Sequence, residues 1–204
     1  LKYTDPKGTR IRFTADKGRE VLEAFREALL EAGATDVAAL LAAANIGDGV
    51  QEFASLPKDL ENSSNATVAL IAGLVNNQDN MVHVNITNSY VGGGGGLTRG
   101  GGNSLTIDIN PSSVRSLLVF ASRSDSPGAA KALGMMTLGT ALVHELGHAA
   151  AHFDGDALPN AMDLMAASRT NYSVALAYEN KHRALIKSPT LNFYRVGHGT
   201  YDYQ

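Results

Sequence analysis

VHELGHAAAH, residues Val143 to His152, holds His144, Glu145 and His148 in the pattern His-Glu-x-x-His, with His152 four residues further on. On a helix, side chains four apart lie on one face, one turn above the other, so His144 and His148 can direct ring nitrogens at one ion. Zinc is the natural candidate, because it takes imidazole nitrogen at about 2.0–2.1 Å and is satisfied by four ligands. Glu145 stands one position round the helix from His144, so its carboxylate flanks such a site instead of filling it. That is the place of a general base acting on water whose acidity the ion has raised.

His152 continues the stripe, but on a straight helix two turns, about 11 Å, separate it from His144, too far for both to reach one ion. It is expected to stand behind the ligands or in solvent near the helix end, where the helix dipole favours a partly charged imidazole. A third ligand must come from elsewhere, and the downstream candidates are Asp154, Asp156, Asp163, Glu179, His182, His198 and Asp202. Asp154 and Asp156 read as a polar turn after the helix. Glu179 is better placed, in AYENKHR within the next expected helix, where an isolated carboxylate packed among small and apolar residues would be expensive to desolvate. A dication would pair it, and so would Arg183 four residues on.

Working outward, Ser126-Pro127 reads as an N-cap followed by proline at the first helical position, opening a long helix that runs through the motif to about Asp154-Gly155. A further helix is expected from about Arg169 to Lys187, stopped by Ser188-Pro189. The tail NFYRVGHGTYDYQ reads as aromatic and irregular. Upstream, MVHVNITNSY alternates Val82, Val84 and Ile86 with His83, Asn85 and Thr87, the period of a half-buried strand, and SLTIDIN (Leu105, Ile107, Ile109) reads as its partner. Between them VGGGGGLTRGGGN carries glycine at 92–96 and 100–102. It reads as a mobile hairpin loop, since no Gly-Lys-Ser/Thr or helix follows to make it a phosphate cradle. Residues Ala66 to Val75 form an apolar run whose length and period fit a buried strand or a helix, and the helix is favoured. Nearer the start, LKYTDPKGTRIRF reads as two extended pieces around an Asp-Pro-Lys-Gly turn. From Thr14 as N-cap, Val21, Leu22, Phe25, Leu29 and Leu30 predict an amphipathic helix ending at Gly33, and a second helix is expected from Thr35 to Ala44.

The 204 residues suffice for one domain, residues 1–204. A net charge of -3 with scattered lysines and arginines argues against nucleic acid. The absence of cysteine excludes disulfides and leaves nitrogen and oxygen ligands for a metal. No apolar stretch is long enough for a membrane span. Because the chain starts at Leu1 without a methionine or a leader, it is expected to be part of a longer protein.

HELGHAAAH, followed at Tyr178–Arg183 by YENKHR and then by an arginine- and tyrosine-bearing end, resembles the zinc metallopeptidase effector family. That family includes NleD-like secreted peptidases and C-terminal toxin domains of Rhs and VgrG proteins. Its second helix bears Glu-Asn-x-x-Arg, here Glu179, Asn180 and Arg183. The glycine-broken hairpin and the Asp-Pro-x-Gly start are also similar to such domains, and the likeness spans residues 60 to 200. The resemblance implies a gluzincin site: His144, His148 and Glu179 as zinc ligands and Glu145 as catalytic base. It implies an α+β, zincin-like single domain, mostly helical with a small antiparallel sheet, carrying the motif on its active-site helix. It also implies a domain secreted within a larger effector, acting on a protein or peptide and met by a cognate immunity protein. One departure is Gly199-Thr200-Tyr201-Asp202, which partly resembles the Gly-Thr-x-Asp of aspzincins and leaves Asp202 as a second candidate for the third ligand. Arg183, Tyr194, Arg195, His198 and Tyr201 are all eligible to assist a transition state. Two other functions stay open on the residues: a zinc amidase acting on cell-wall peptides, and a binding module whose metal is structural. An open fourth coordination position separates enzyme from structural site.

Overall fold

The computed structural model describes residues 11–89, 91, 95–114, 136–158, 169–186, 193–197 and 200–203; side-chain detail is confined to those before residue 187. Over these residues the chain is α+β. A six-stranded sheet has the order β2-β3-β1-β4-β6-β5, and a separate two-stranded ribbon lies near the end of the chain. The strands are β1 (Ile11–Thr14), β2 (Ala43–Gly47), β3 (Val50–Phe53), β4 (Met81–Ile86), β5 (Gly96–Gly101) and β6 (Ser104–Ile109), with β7 (Phe193–Gly197) and β8 (Thr200–Tyr203) in the ribbon. Helices α1 (Gly18–Glu31), α2 (Thr35–Leu40) and α3 (Ala66–Asn76) precede α4 (Leu138–Phe153) and α5 (Arg169–Leu185).

The sheet is larger than expected and mixed, where a small antiparallel one was anticipated. β4 runs parallel to both β1 and β6, while β1–β3, β2–β3 and β5–β6 are antiparallel. The two alternating segments do pair, Val82 opposite Leu105 and Val84 opposite Ile107, but side by side in the same direction. Alternation specifies which face is buried and is silent on direction. The intervening glycine-rich segment makes this possible. Residues 96–101 form β5 itself, which turns tightly at Gly102 (φ 57°) into β6 and leaves β5 at the sheet edge. Residues 92–94 lie outside the described part.

One face of the sheet is apolar: Ile11, Phe13, Val82, Val84, Leu105, Ile107 and Ile109 are buried against the helices. Helix α1 contributes Val21, Phe25, Ala28 and Leu29 at the expected spacing, and Phe13, Phe25 and Phe53 stack with ring centroids 4.9–5.0 Å apart. The helix begins after a 3-10 turn over Ala15–Lys17 rather than directly at Thr14, and ends before Gly33, whose φ of 74° suits glycine. The run from Ala66 is helical as expected, capped by Asn65, whose side chain accepts from the N–H groups of Thr67 and Val68. The second helix is shorter than expected. It ends at Leu40, and the chain passes into the β2–β3 hairpin around Asp48-Gly49.

Helix α4 does not run unbroken from Ser126. Residues 115–135 lie outside the described part, and Thr137 is extended (φ -83°, ψ 166°), its hydroxyl accepting from Thr140 N–H. Thr137 is therefore the N-cap of a helix that starts at Leu138, less than two turns before His144. The tail, expected to be irregular, forms β7 and β8. The Ser126-Pro127 cap, the whole Asp5-Pro6-Lys7-Gly8 turn and the extended piece before it also lie outside the described residues. Among the described residues, no helix is long and apolar enough to cross a membrane.

Candidate metal centre

Helix α4 is buried from Gly139 to Ala149, and this buries His144, Glu145 and His148 to 5–6% exposure. The two histidines converge as their spacing requires, Nε2 to Nε2 at 3.1 Å, with the rings nearly perpendicular. Two imidazole nitrogens held tetrahedrally by one ion at about 2.0–2.1 Å stand about 3.3 Å apart, so this pair fits a zinc-sized cation with little adjustment.

Helix α5 runs antiparallel across α4. The crossing is close because Gly147 meets Ala175: a Cβ on Gly147 would lie 2.8 Å from the Ala175 Cα. Glycine inside a helix costs about 1 kcal/mol relative to alanine, and here it permits the approach. On one side of this crossing Glu179 reaches His144, its Oε2 2.8 Å from Nδ1. On the other side Asn171 reaches His148, its Oδ1 2.6 Å from Nδ1. Glu179 is fully buried, and its Oε1 accepts from Arg183 Nε at 2.9 Å and lies 2.8 Å from Nη2 in the ion pair. Of the two partners weighed for it from sequence, a dication and Arg183, the arginine is in place, and the motif histidine His144 also stands against the carboxylate. It meets His144 at Nδ1, whereas the histidines converge through Nε2. Among the described residues no three His, Asp or Glu side chains stand together as a ready-made ligand set.

Glu145 points to the other side of α4, toward the sheet edge. Thr98 on β5 places its hydroxyl 2.7 Å from Glu145 Oε2 and 3.1 Å from the Glu145 carbonyl. Gly96 lies so close that a Cβ there would fall 2.6 Å from Glu145 Cγ. The glycine-rich strand is therefore the neighbour of Glu145, and the missing side chain at Gly96 makes room for it.

Among the described residues, the remaining candidates do not join the pair. His152 lies within 3.1 Å of the carbonyls of Asp156 and Gly102, holding the helix exit to the β5–β6 turn. Asp154 and Asp156 sit in that exit turn, with Asp154 exposed. His182 is fully buried elsewhere, with Nδ1 2.9 Å from Thr67 Oγ1 and Nε2 3.1 Å from Glu31 Oε2. Glu31 Oε2 also accepts from Thr137 at 2.9 Å, so this cluster ties α1, α3 and α5 to the cap of α4. Asp163 and His198 lie outside the described residues, as do the side chains of Tyr194, Arg195, Tyr201 and Asp202 on β7 and β8.

Sequence reasoning missed Asn171, Thr98, Gly96 and Tyr172, whose ring centre stands 6.0–6.2 Å from both imidazoles. One signal was present. Asn171, Ala175, Glu179 and Arg183 recur every four residues along α5, and all are buried to 2% exposure or less. That stripe of amide, small residue, acid and base is the face laid on α4. No protein-family model matches the chain, and no curated protein and no solved structure matches it either.

Proposed function

We propose that this chain is a zinc-dependent metallopeptidase of zincin-like fold, with His144 and His148 as ligands, Glu179 as the carboxylate of the metal site and Glu145 as general base. The observation that carries this reading is the 3.1 Å convergence of two buried imidazole Nε2 atoms beside a buried glutamate on the same helix. When bound, zinc would acidify a water molecule and polarise a substrate carbonyl. Glu145 would take the proton at a carboxylate oxygen and return it to the leaving amine. Thr98, bonded to Oε2, holds that carboxylate in one orientation. The contact between Glu179 and His144 Nδ1 also favours a second role for Glu179. There it acts as the outer partner that orients His144, with the third ligand drawn from another residue such as Asp202.

Strands β4 and β6 lie inside the sheet, and the edge beside Glu145 is β5. An extended peptide added to β5 would run past the base, which suits a protein or peptide substrate. The resemblance of the two helix motifs supports a secreted effector or toxin domain with a cognate immunity protein as partner.

Glu145→Ala is the test. It should keep stoichiometric zinc and lose hydrolysis of an unfolded protein such as casein, while His148→Ala loses the zinc. Undiminished casein cleavage by Glu145→Ala would refute the base. Release of amide products from peptidoglycan fragments, with casein untouched, would transfer the same site to a cell-wall amidase.

A further inference from the structure

Asn171 makes two contacts with a single residue of the motif helix. Its Nδ2 donates to the His148 carbonyl at 3.1 Å, and its Oδ1 stands 2.6 Å from His148 Nδ1. A backbone carbonyl only accepts, so the amide nitrogen must face it and the orientation of the amide is determined. Its oxygen then faces the imidazole, and an amide oxygen also only accepts. His148 Nδ1 therefore carries a proton, and in the neutral ring the lone pair is left on Nε2, the atom aimed at His144 Nε2. Asn171 is fully buried, so water does not compete for either contact.

We infer that Asn171 is a positioning residue that fixes the Nδ1–H tautomer and the ring plane of His148, presenting Nε2 to a cation shared with His144. The assignment of the tautomer stands on the hydrogen bonds alone; its consequence for metal rests on the zinc reading above. Asn171 acts through His148 and need not touch ion or substrate.

Long-range nitrogen–proton NMR of the metal-free wild-type chain should show His148 protonated at Nδ1. An Nε2–H signature there would overturn the inference whatever the zinc result. Zinc affinity, measured by competition with a chromogenic chelator on folded protein, should fall about 10- to 100-fold in Asn171→Ala, the usual effect of removing such a partner. Asn171→Asp keeps an acceptor oxygen at the same place and should restore most of that loss. Equal zinc affinity in Asn171→Ala and wild type, with the tautomer unchanged, would reduce Asn171 to helix packing. If the wild type takes up no zinc yet shows the Nδ1–H tautomer, the metal reading fails and the positioning role survives.

Discussion

Glu179→Ala probes the buried charge at the centre of the helix crossing. Glu179 and Arg183 are 0% and 2% exposed, and the carboxylate accepts a hydrogen bond from the guanidinium Nε at 2.9 Å and stands 2.8 Å from Nη2 as an ion pair. Deleting the acid leaves the guanidinium buried beside Met136 Sδ, at 3.9 Å, without its counter-charge. Breaking a buried pair in this way costs about 3–5 kcal/mol, whereas replacing both members by apolar groups is often neutral. A domain's whole stability is about 5–15 kcal/mol, so the single variant should come close to unfolding. The double variant Glu179→Ala/Arg183→Met should recover at least about 2 kcal/mol of the loss, because methionine fills the arginine's channel with no charge to bury. Urea unfolding of chelator-treated protein, followed by circular dichroism, measures both without interference from metal. A double variant no more stable than the single one would refute the reasoning, since the cost would then lie in packing and not in an abandoned charge.

Gly96→Ala should displace the Glu145 side chain, because the added methyl would lie 2.6 Å from its Cγ; overpacking of this kind costs about 1–3 kcal/mol. On the proposed function, it should also lower peptidase turnover while zinc content holds, and a variant as stable and as active as wild type would contradict the contact. Glu27→Gln tests a different carboxylate, which burial first and the charge of Glu31 second push above the ordinary range, against the pull of the Gly139 and Leu138 N–H groups. A raised acid contributes stability that is fully present below its unfolded pKa and is lost as pH rises through the native value. Urea midpoints of Glu27→Gln relative to wild type should therefore move in the variant's favour from pH 4 to pH 7, and a constant gap would show that Glu27 ionises without penalty.

Features that depend on neighbours along the chain were legible without coordinates. The stop at Gly33 and the shared face of His144 and His148 follow from glycine and a period of 3.6, whereas the apolar run from Ala66 fits strand or helix by period and its Asn65 cap is seen only in the structure. The buried faces of β4 and β6 follow from alternation. Other elements carried no such signal. β5 is built from Gly-Leu-Thr-Arg-Gly-Gly, and residues without side chains have no hydrophobic pattern, so it read as loop. The hairpin of β2 and β3 has one buried residue, Phe53, in nine, too few to show a period.

The sequence by itself determined that two histidines and a glutamate stand on adjoining positions of one helix, since a helical repeat decides that within two turns. Only the tertiary structure decided what surrounds them: Thr98, 47 residues away, on Glu145, and Asn171, 23 residues away, on His148. Those contacts depend on the direction of β4 against β6 and on how closely Gly147 lets α5 approach. Both are settled by packing between segments distant along the chain, which a local period does not encode.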